Sequence, residues 1–113
     1  MAPALIAGIR DGVAWITINR PQKANALTIS MLQELEKLLG DYAADDSVRA
    51  VVLTAAGTRT FSAGADLTPA AEDPDAHRVQ RRAQFAAAVF ALLDFSKPAV
   101  AAVNGAACGA GMM

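Results

Sequence analysis

Two stretches of this chain combine small residues with main chain that could hold an anion: Phe61-Ser62-Ala63-Gly64-Ala65-Asp66-Leu67 and Asn104-Gly105-Ala106-Ala107-Cys108-Gly109-Ala110-Gly111. Each follows an apolar run that reads as a buried strand, and each reads as a loop opening a helix. Helix N-termini present unpaired N–H groups at the positive end of the helix dipole, and small side chains let a ligand approach the backbone. The chemistry on offer is therefore stabilisation of an oxyanion or phosphate by peptide N–H groups. Either stretch alone could serve only a tight turn and close packing. Both together, at the carboxyl ends of strands where open α/β sheets gather ligands, make a stronger signal.

Other candidates are weaker. Gly105, Gly109 and Gly111 are spaced G-x-x-x-G-x-G, which is not the dinucleotide pattern G-x-G-x-x-G, and no P-loop is present. His77, the only histidine, lies in a polar stretch near a helix start, where a solvated role outweighs catalysis and a Ser-His-Asp triad finds no support. Cys108, the only cysteine, can form neither an internal disulfide nor a metal site, so it is expected to be a packed, inert thiol in a reducing, cytoplasmic protein. Asp66 could act as a general base, although an aspartate at a helix start more often caps it. Arg20 and Lys23 could meet phosphates, but each alone reads as solvated surface charge.

The elements that must position these residues follow from periodicity. Residues 4–9 and 13–19 are apolar runs separated by Arg10-Asp11-Gly12, whose D-G pair predicts an opening hairpin. In the second run Ala14, Ile16 and Ile18 share one face. Over residues 28–42, Leu32, Leu35, Leu39 and Tyr42 recur at helical spacing, and Ser30 with Gln33 offers a capping box. Residues 50–54 lack polar alternation, as in a parallel strand covered on both faces. Residues 55–75 read as loop, with a short helical turn beginning near Ala65. A second helix is expected from an N-cap at Asp75 to about Asp94, with Phe85, Val89, Leu92 and Leu93 inward and Arg78, Arg81 and Arg82 on its wet side. Ser96-Lys97-Pro98 stops it, residues 99–103 read as a third buried strand, and Asn104-Gly105 opens a turn into another helix. The predicted order is ββαβαβα, with right-handed crossovers and a parallel sheet after the hairpin, in one α/β domain over residues 1–113.

A formal net charge of -1 disfavours nucleic acid as a partner, and 54% hydrophobic residues disfavour disorder. The most apolar stretch, residues 85–93, is far shorter than the ~20 residues a bilayer span needs, and the first dozen residues do not read as a secretory signal. No membrane role is expected.

Read in order, the motifs resemble the enoyl-CoA hydratase/isomerase (crotonase) family. They are Asn19-Arg20-Pro21-Gln22-Lys23-Ala24-Asn25-Ala26-Leu27, then Val51-Val52-Leu53-Thr54 leading to Phe61 through Leu67, then Lys97-Pro98 through Gly111. The resemblance covers essentially the whole chain and corresponds to the N-terminal part of a crotonase-like fold, truncated at residue 113.

This resemblance implies a coenzyme A thioester as substrate, with no further cofactor and no metal. It implies that the backbone N–H groups of Ala65 and Ala110 form an oxyanion hole for the enolate of that thioester. Lys23 and Ala24 would line the CoA path, with Lys23 reaching a phosphate, and Ala63 would approach the adenine. Asp66 falls among the substrate-binding positions, and Leu67 and Thr68 would border the acyl end. A full-length relative would be a homo-oligomer, a trimer or hexamer.

Two departures qualify the match. Met113 stands where family hydratases typically carry one catalytic glutamate, and the segment bearing the other is not in this sequence. Gly109-Ala110-Gly111 has alanine where three glycines are common, which keeps the N–H and adds a methyl group. Hydration needs an activated water and a delivered proton, so the chain alone is expected to be inactive. The alternative reading is a non-catalytic acyl-CoA-binding or assembly subunit.

Overall fold

The computed structural model describes residues 3–64, 74–108 and 111. Asp11 and Gly12 both take positive φ, 53° and 80°, the geometry that a tight two-residue hairpin requires. They join β1 (Leu5–Arg10) to β2 (Val13–Ile18), antiparallel, with Arg10 opposite Val13 and Leu5 opposite Ile18. Period-two alternation in β2 buries Ala14, Ile16 and Ile18 and leaves Val13, Trp15 and Thr17 half-buried on the other face. There the Arg10 guanidinium lies 5.3 Å from the centre of the Trp15 ring, a cation–π distance.

The first helix, α1, spans Ile29–Ala44 and buries Leu32, Leu35, Leu39 and Tyr42, the face that periodicity assigned to the core, together with Met31. Its cap differs from the expected Ser30–Gln33 pair. Thr28 is extended, as a cap residue must be, and its hydroxyl accepts the Met31 N–H at 3.2 Å. Met31 Sδ in turn accepts the Thr28 N–H at 3.5 Å, whereas Ser30 already lies inside the helix.

Strand β3 (Ala50–Ala55) runs parallel to β2, and β5 (Ala99–Ala101) runs parallel to β3, giving the sheet order β1-β2-β3-β5. The parallel sheet after an opening hairpin is thus as expected. Helices α1 and α2 (Pro74–Leu93) pack on each other and on the sheet face formed by Ile16, Ile18 and Val51. Burying a side chain the size of Ile16 or Leu39 is worth about 1.5–3 kcal/mol, so this layer carries much of the stability.

Several expectations are corrected. β3 is fully covered only at Val51 and Ala55, and β5 is exposed at all three positions, because among the described residues β5 has a strand neighbour on one side only. α2 begins at Pro74, which suits a first helical turn, so Asp75 lies within the helix and does not precede it as a cap. Ala88 is the buried member of its inner face, whereas Leu93 closes the helix 73% exposed beside an open groove. Arg81 on the wet side is half-buried, with Arg78 and Arg82 exposed.

Two short strands lie where loop or turn was expected: β4 (Thr60–Ser62) and β6 (Ala106–Ala107). The helical turn near Ala65 and a continuous helix after Asn104-Gly105 fall on stretches that include residues outside the described set.

Candidate functional site

β4 and β6 pair in parallel, with Thr60 opposite Ala106 and Ser62 opposite Ala107, in a two-stranded sheet of their own. This pairing brings the two Gly/Ala-rich segments side by side. Main-chain bonds extend it: the Ala106 N–H donates to Arg59 O at 3.1 Å, and the Cys108 N–H donates to Ser62 O at 3.0 Å. Such an approach has no room for side chains. A Cβ on Gly105 would sit 2.4 Å from Arg59 O, and one on Gly111 would sit 2.4 Å from Ser62 O. Glycine at these positions serves close contact between two backbones.

The third motif docks on the same place. Pro21–Lys23 form one turn of 3-10 helix, and Ala24 and Asn25 follow in left-handed conformation with φ of 53° and 54°. That double left-handed step turns the chain so that Ala24 O accepts the Ala63 N–H at 3.0 Å. Three residues after Ala24, the Leu27 N–H donates to Gly64 O at 2.7 Å.

Two buried polar residues tie these pieces together, Asn25 at 1% and Ser62 at 0% exposure. Asn25 Nδ2 donates to Ala56 O at 3.0 Å and to Thr60 O at 2.8 Å, and its Oδ1 accepts the Arg20 N–H at 2.8 Å. Ser62 Oγ donates to Asn25 O at 3.0 Å and accepts the Gly64 N–H at 3.1 Å. Neither residue was singled out from the sequence. The usable signals were an asparagine, which tolerates left-handed backbone, and a hydroxyl two residues before a glycine.

Of the positions assigned from sequence, Ala65, Asp66, Leu67, Thr68 and Ala110 lie outside the described residues, as does the side chain of His77. Lys23, Ala24 and Ala63 are exposed, and the structure brings Ala24 and Ala63 into direct hydrogen-bonded contact. Arg20 is not the solvated charge expected of it: its Nη1 donates to Ala26 O at 2.8 Å and braces the loop from within. Cys108 is exposed, not packed, because its main chain is drawn onto β4 while its side chain is left outside.

Gly111 borders two apolar spaces. One is a cavity of about 70 Å³ between α1, α2 and the sheet, reaching Leu27, Phe61 and Phe85. The other is an open groove of about 560 Å³ along β5, reaching Leu92, Val100 and Val103. Among the described residues no group of histidine, cysteine and carboxylate side chains could hold a metal ion, and no helix is long and apolar enough to cross a membrane.

A mixed sheet with two crossover helices, whose strand ends bring two small-residue backbones and a left-handed loop to one point, defines an α/β protein with a main-chain-lined site. The chain belongs to the enoyl-CoA hydratase/isomerase family, whose sequence model matches residues 8–113. It is 40% identical over 102 residues to the short-chain-enoyl-CoA hydratase of Clostridium acetobutylicum, an alignment covering 88% of this chain and 38% of that protein. Among solved structures it resembles DspI of Pseudomonas aeruginosa, with a TM-score of 0.91 at 36% identity over 98% of this chain and 45% of that one. It also resembles an enoyl-CoA hydratase from Bacillus anthracis, with a TM-score of 0.89 at 29% identity over 96% of this chain and 43% of that one. The chain spans about two fifths of the length of the curated relatives it matches. The crotonase fold expected from the motifs is thereby found.

Proposed function

We propose that this chain supplies the CoA-binding and oxyanion-hole part of an enoyl-CoA hydratase/isomerase. The observation that carries this reading is the pairing of β4 with β6, which sets the segments leading to Ala65 and Ala110 beside each other. Two peptide N–H groups at those positions would hold the thioester oxygen as negative charge develops on it. In other enzymes, loss of one such donor raises the barrier by roughly 3 kcal/mol. Lys23, exposed at the end of the 3-10 turn, offers its ammonium to a phosphate of CoA, and by the family resemblance Ala24 and Ala63 would lie beside the path and Asp66, Leu67 and Thr68 toward the acyl end.

Methionine at position 113 cannot transfer a proton, so in this reading residues 1–113 bind an acyl-CoA without turning it over. Binding of acetyl-CoA by calorimetry, followed by hydration of crotonyl-CoA monitored by loss of enoyl absorbance, tests it. Absence of acyl-CoA binding would overturn the proposal. Binding without turnover by the protein as its cell makes it would favour the second reading, a non-catalytic acyl-CoA-binding or assembly subunit, which Met113 motivates.

A further inference from the structure

We propose that Asn25 and Ser62 are positioning residues for the acyl-CoA site, acting together as a clamp that sets three loops in one arrangement. The clamp rests on the acyl-CoA reading for what it positions, but its geometry stands independently.

Asn25 reaches three segments at once. Its carboxamide holds the Arg20 N–H ahead of the 3-10 turn, and it holds the carbonyls of Ala56 and Thr60 at either end of the loop between β3 and β4. With two carbonyl oxygens facing Nδ2 and an N–H facing Oδ1, only one amide orientation fits, so an aspartate could not reproduce the set. Its main-chain carbonyl accepts the Ser62 hydroxyl, and the same hydroxyl accepts the Gly64 N–H, so the clamp passes from the Lys23-Ala24 loop into the first Gly/Ala segment.

The consequence falls on the binding groups. Ala24 and Ala63 are locked to each other, and Leu27 holds the Gly64 carbonyl at 2.7 Å. None of the clamp atoms is accessible enough to touch a ligand: Asn25 is 1% and Ser62 0% exposed. Their contribution is therefore orientation, and in catalytic sites a misplacement of about 1 Å costs on the order of a hundredfold in rate.

The test uses Ser62→Ala, which keeps the volume nearly unchanged, and Ser62→Cys, which restores a weak donor and acceptor, in the protein as its cell makes it. Affinity for acetyl-CoA is measured by calorimetry at a temperature where circular dichroism shows each variant folded. Amide hydrogen exchange is followed at Leu27, Ala63 and Gly64. Ser62→Ala is expected to weaken acetyl-CoA binding several-fold to about tenfold, the size of effect that loss of one buried hydrogen bond produces. It is also expected to speed exchange at those three amides while leaving Ile16 and Val52 unchanged, with Ser62→Cys recovering part of both. A dissociation constant within twofold of the unaltered protein overturns the proposal. If Ser62→Ala does not fold, exchange in the unaltered protein decides: amides at Leu27 and Ala63 as unprotected as those of exposed loops overturn the clamp. Protected amides in a protein that binds no acetyl-CoA leave the clamp standing and overturn the acyl-CoA reading instead.

Discussion

The N–H of Cys108 donates to the carbonyl oxygen of Ser62 across 3.0 Å, so two residues 46 positions apart in the sequence share a peptide hydrogen bond at the centre of the candidate site. A site built from main chain is insensitive to side-chain identity until a side chain separates the backbones. Glycine positions should therefore be its most vulnerable points.

Gly105 is the sharpest case. A methyl group there would stand 2.4 Å from Arg59 O and 2.7 Å from Thr60 N, both backbone atoms that cannot rotate away. Gly105→Ala is expected to destabilise the protein by about 1–3 kcal/mol, the usual cost of overpacking, and to weaken acyl-CoA binding beyond that loss. Urea denaturation with parallel calorimetry checks both. Gly40→Ala is the control, since nothing lies within 4 Å of a Cβ at that helical position.

Ala24 gives the opposite expectation. It holds φ of 53° and ψ of 32° without being glycine, a conformation costing an L-residue roughly 1–2 kcal/mol. Ala24→Gly releases that strain but adds about 0.5–1 kcal/mol of unfolded-chain entropy to be lost. The variant should be as stable as the parent or up to about 1 kcal/mol more so, and Ala24→Val should be clearly less stable. Thermal unfolding followed by circular dichroism distinguishes the three.

The elements with strong periodicity were legible in the sequence. Ala14, Ile16 and Ile18, and the run from Leu32 to Tyr42, each bury the face that spacing assigned them, because a long amphipathic pattern has one good way to meet a core. β4 and β6 were not legible. Strands of three and two residues carry no period, and what forms them is a partner more than forty residues away. The cap of α1 was misplaced because methionine sulfur is a weak acceptor that capping rules omit, and Thr28 won by its extended backbone. At the site, the Gly/Ala segments could be read as backbone binders, whereas the roles of Asn25 and Ser62 required knowing which carbonyls would surround them.

Lys97 links the turn before β5 to the end of α1. Its Nζ donates to Tyr42 O at 2.8 Å and to Asp45 O at 2.7 Å, carbonyls that also accept the Asp45 N–H at 3.4 Å and the Val48 N–H at 3.0 Å, and places a positive charge at the negative end of the helix dipole. Lys97→Met keeps most of the aliphatic stem and removes both bonds. Hydrogen bonds from a charged group are worth about 1.5–3 kcal/mol, so a loss of about 2 kcal/mol in urea denaturation is expected. A change below ~0.5 kcal/mol would show that water replaces the ammonium without cost.

Asp45, at the same helix end, provides a pH test. The Ser47 hydroxyl donates to its carboxylate at 2.6 Å and the Ser47 N–H at 2.9 Å, with Lys97 adding a smaller Coulombic attraction, and together they lower its pKa below the ordinary carboxylate value. A lowered folded-state pKa means that the unfolded chain binds the proton more readily. Asp45 thus contributes stability that is fully present above the unfolded pKa of about 3.9 and is lost as pH falls through the folded value. Asp45→Asn should therefore melt below the parent at pH 7, and the gap should close as the pH is taken from about 4 toward 2. Asp45 is partly exposed, so the gap should also shrink in high salt to the extent that Lys97 contributes. Melting curves of the two proteins across that pH range decide it, and a gap that stays constant from pH 7 to pH 2 would mean that the Ser47 bonds matter equally to the protonated acid.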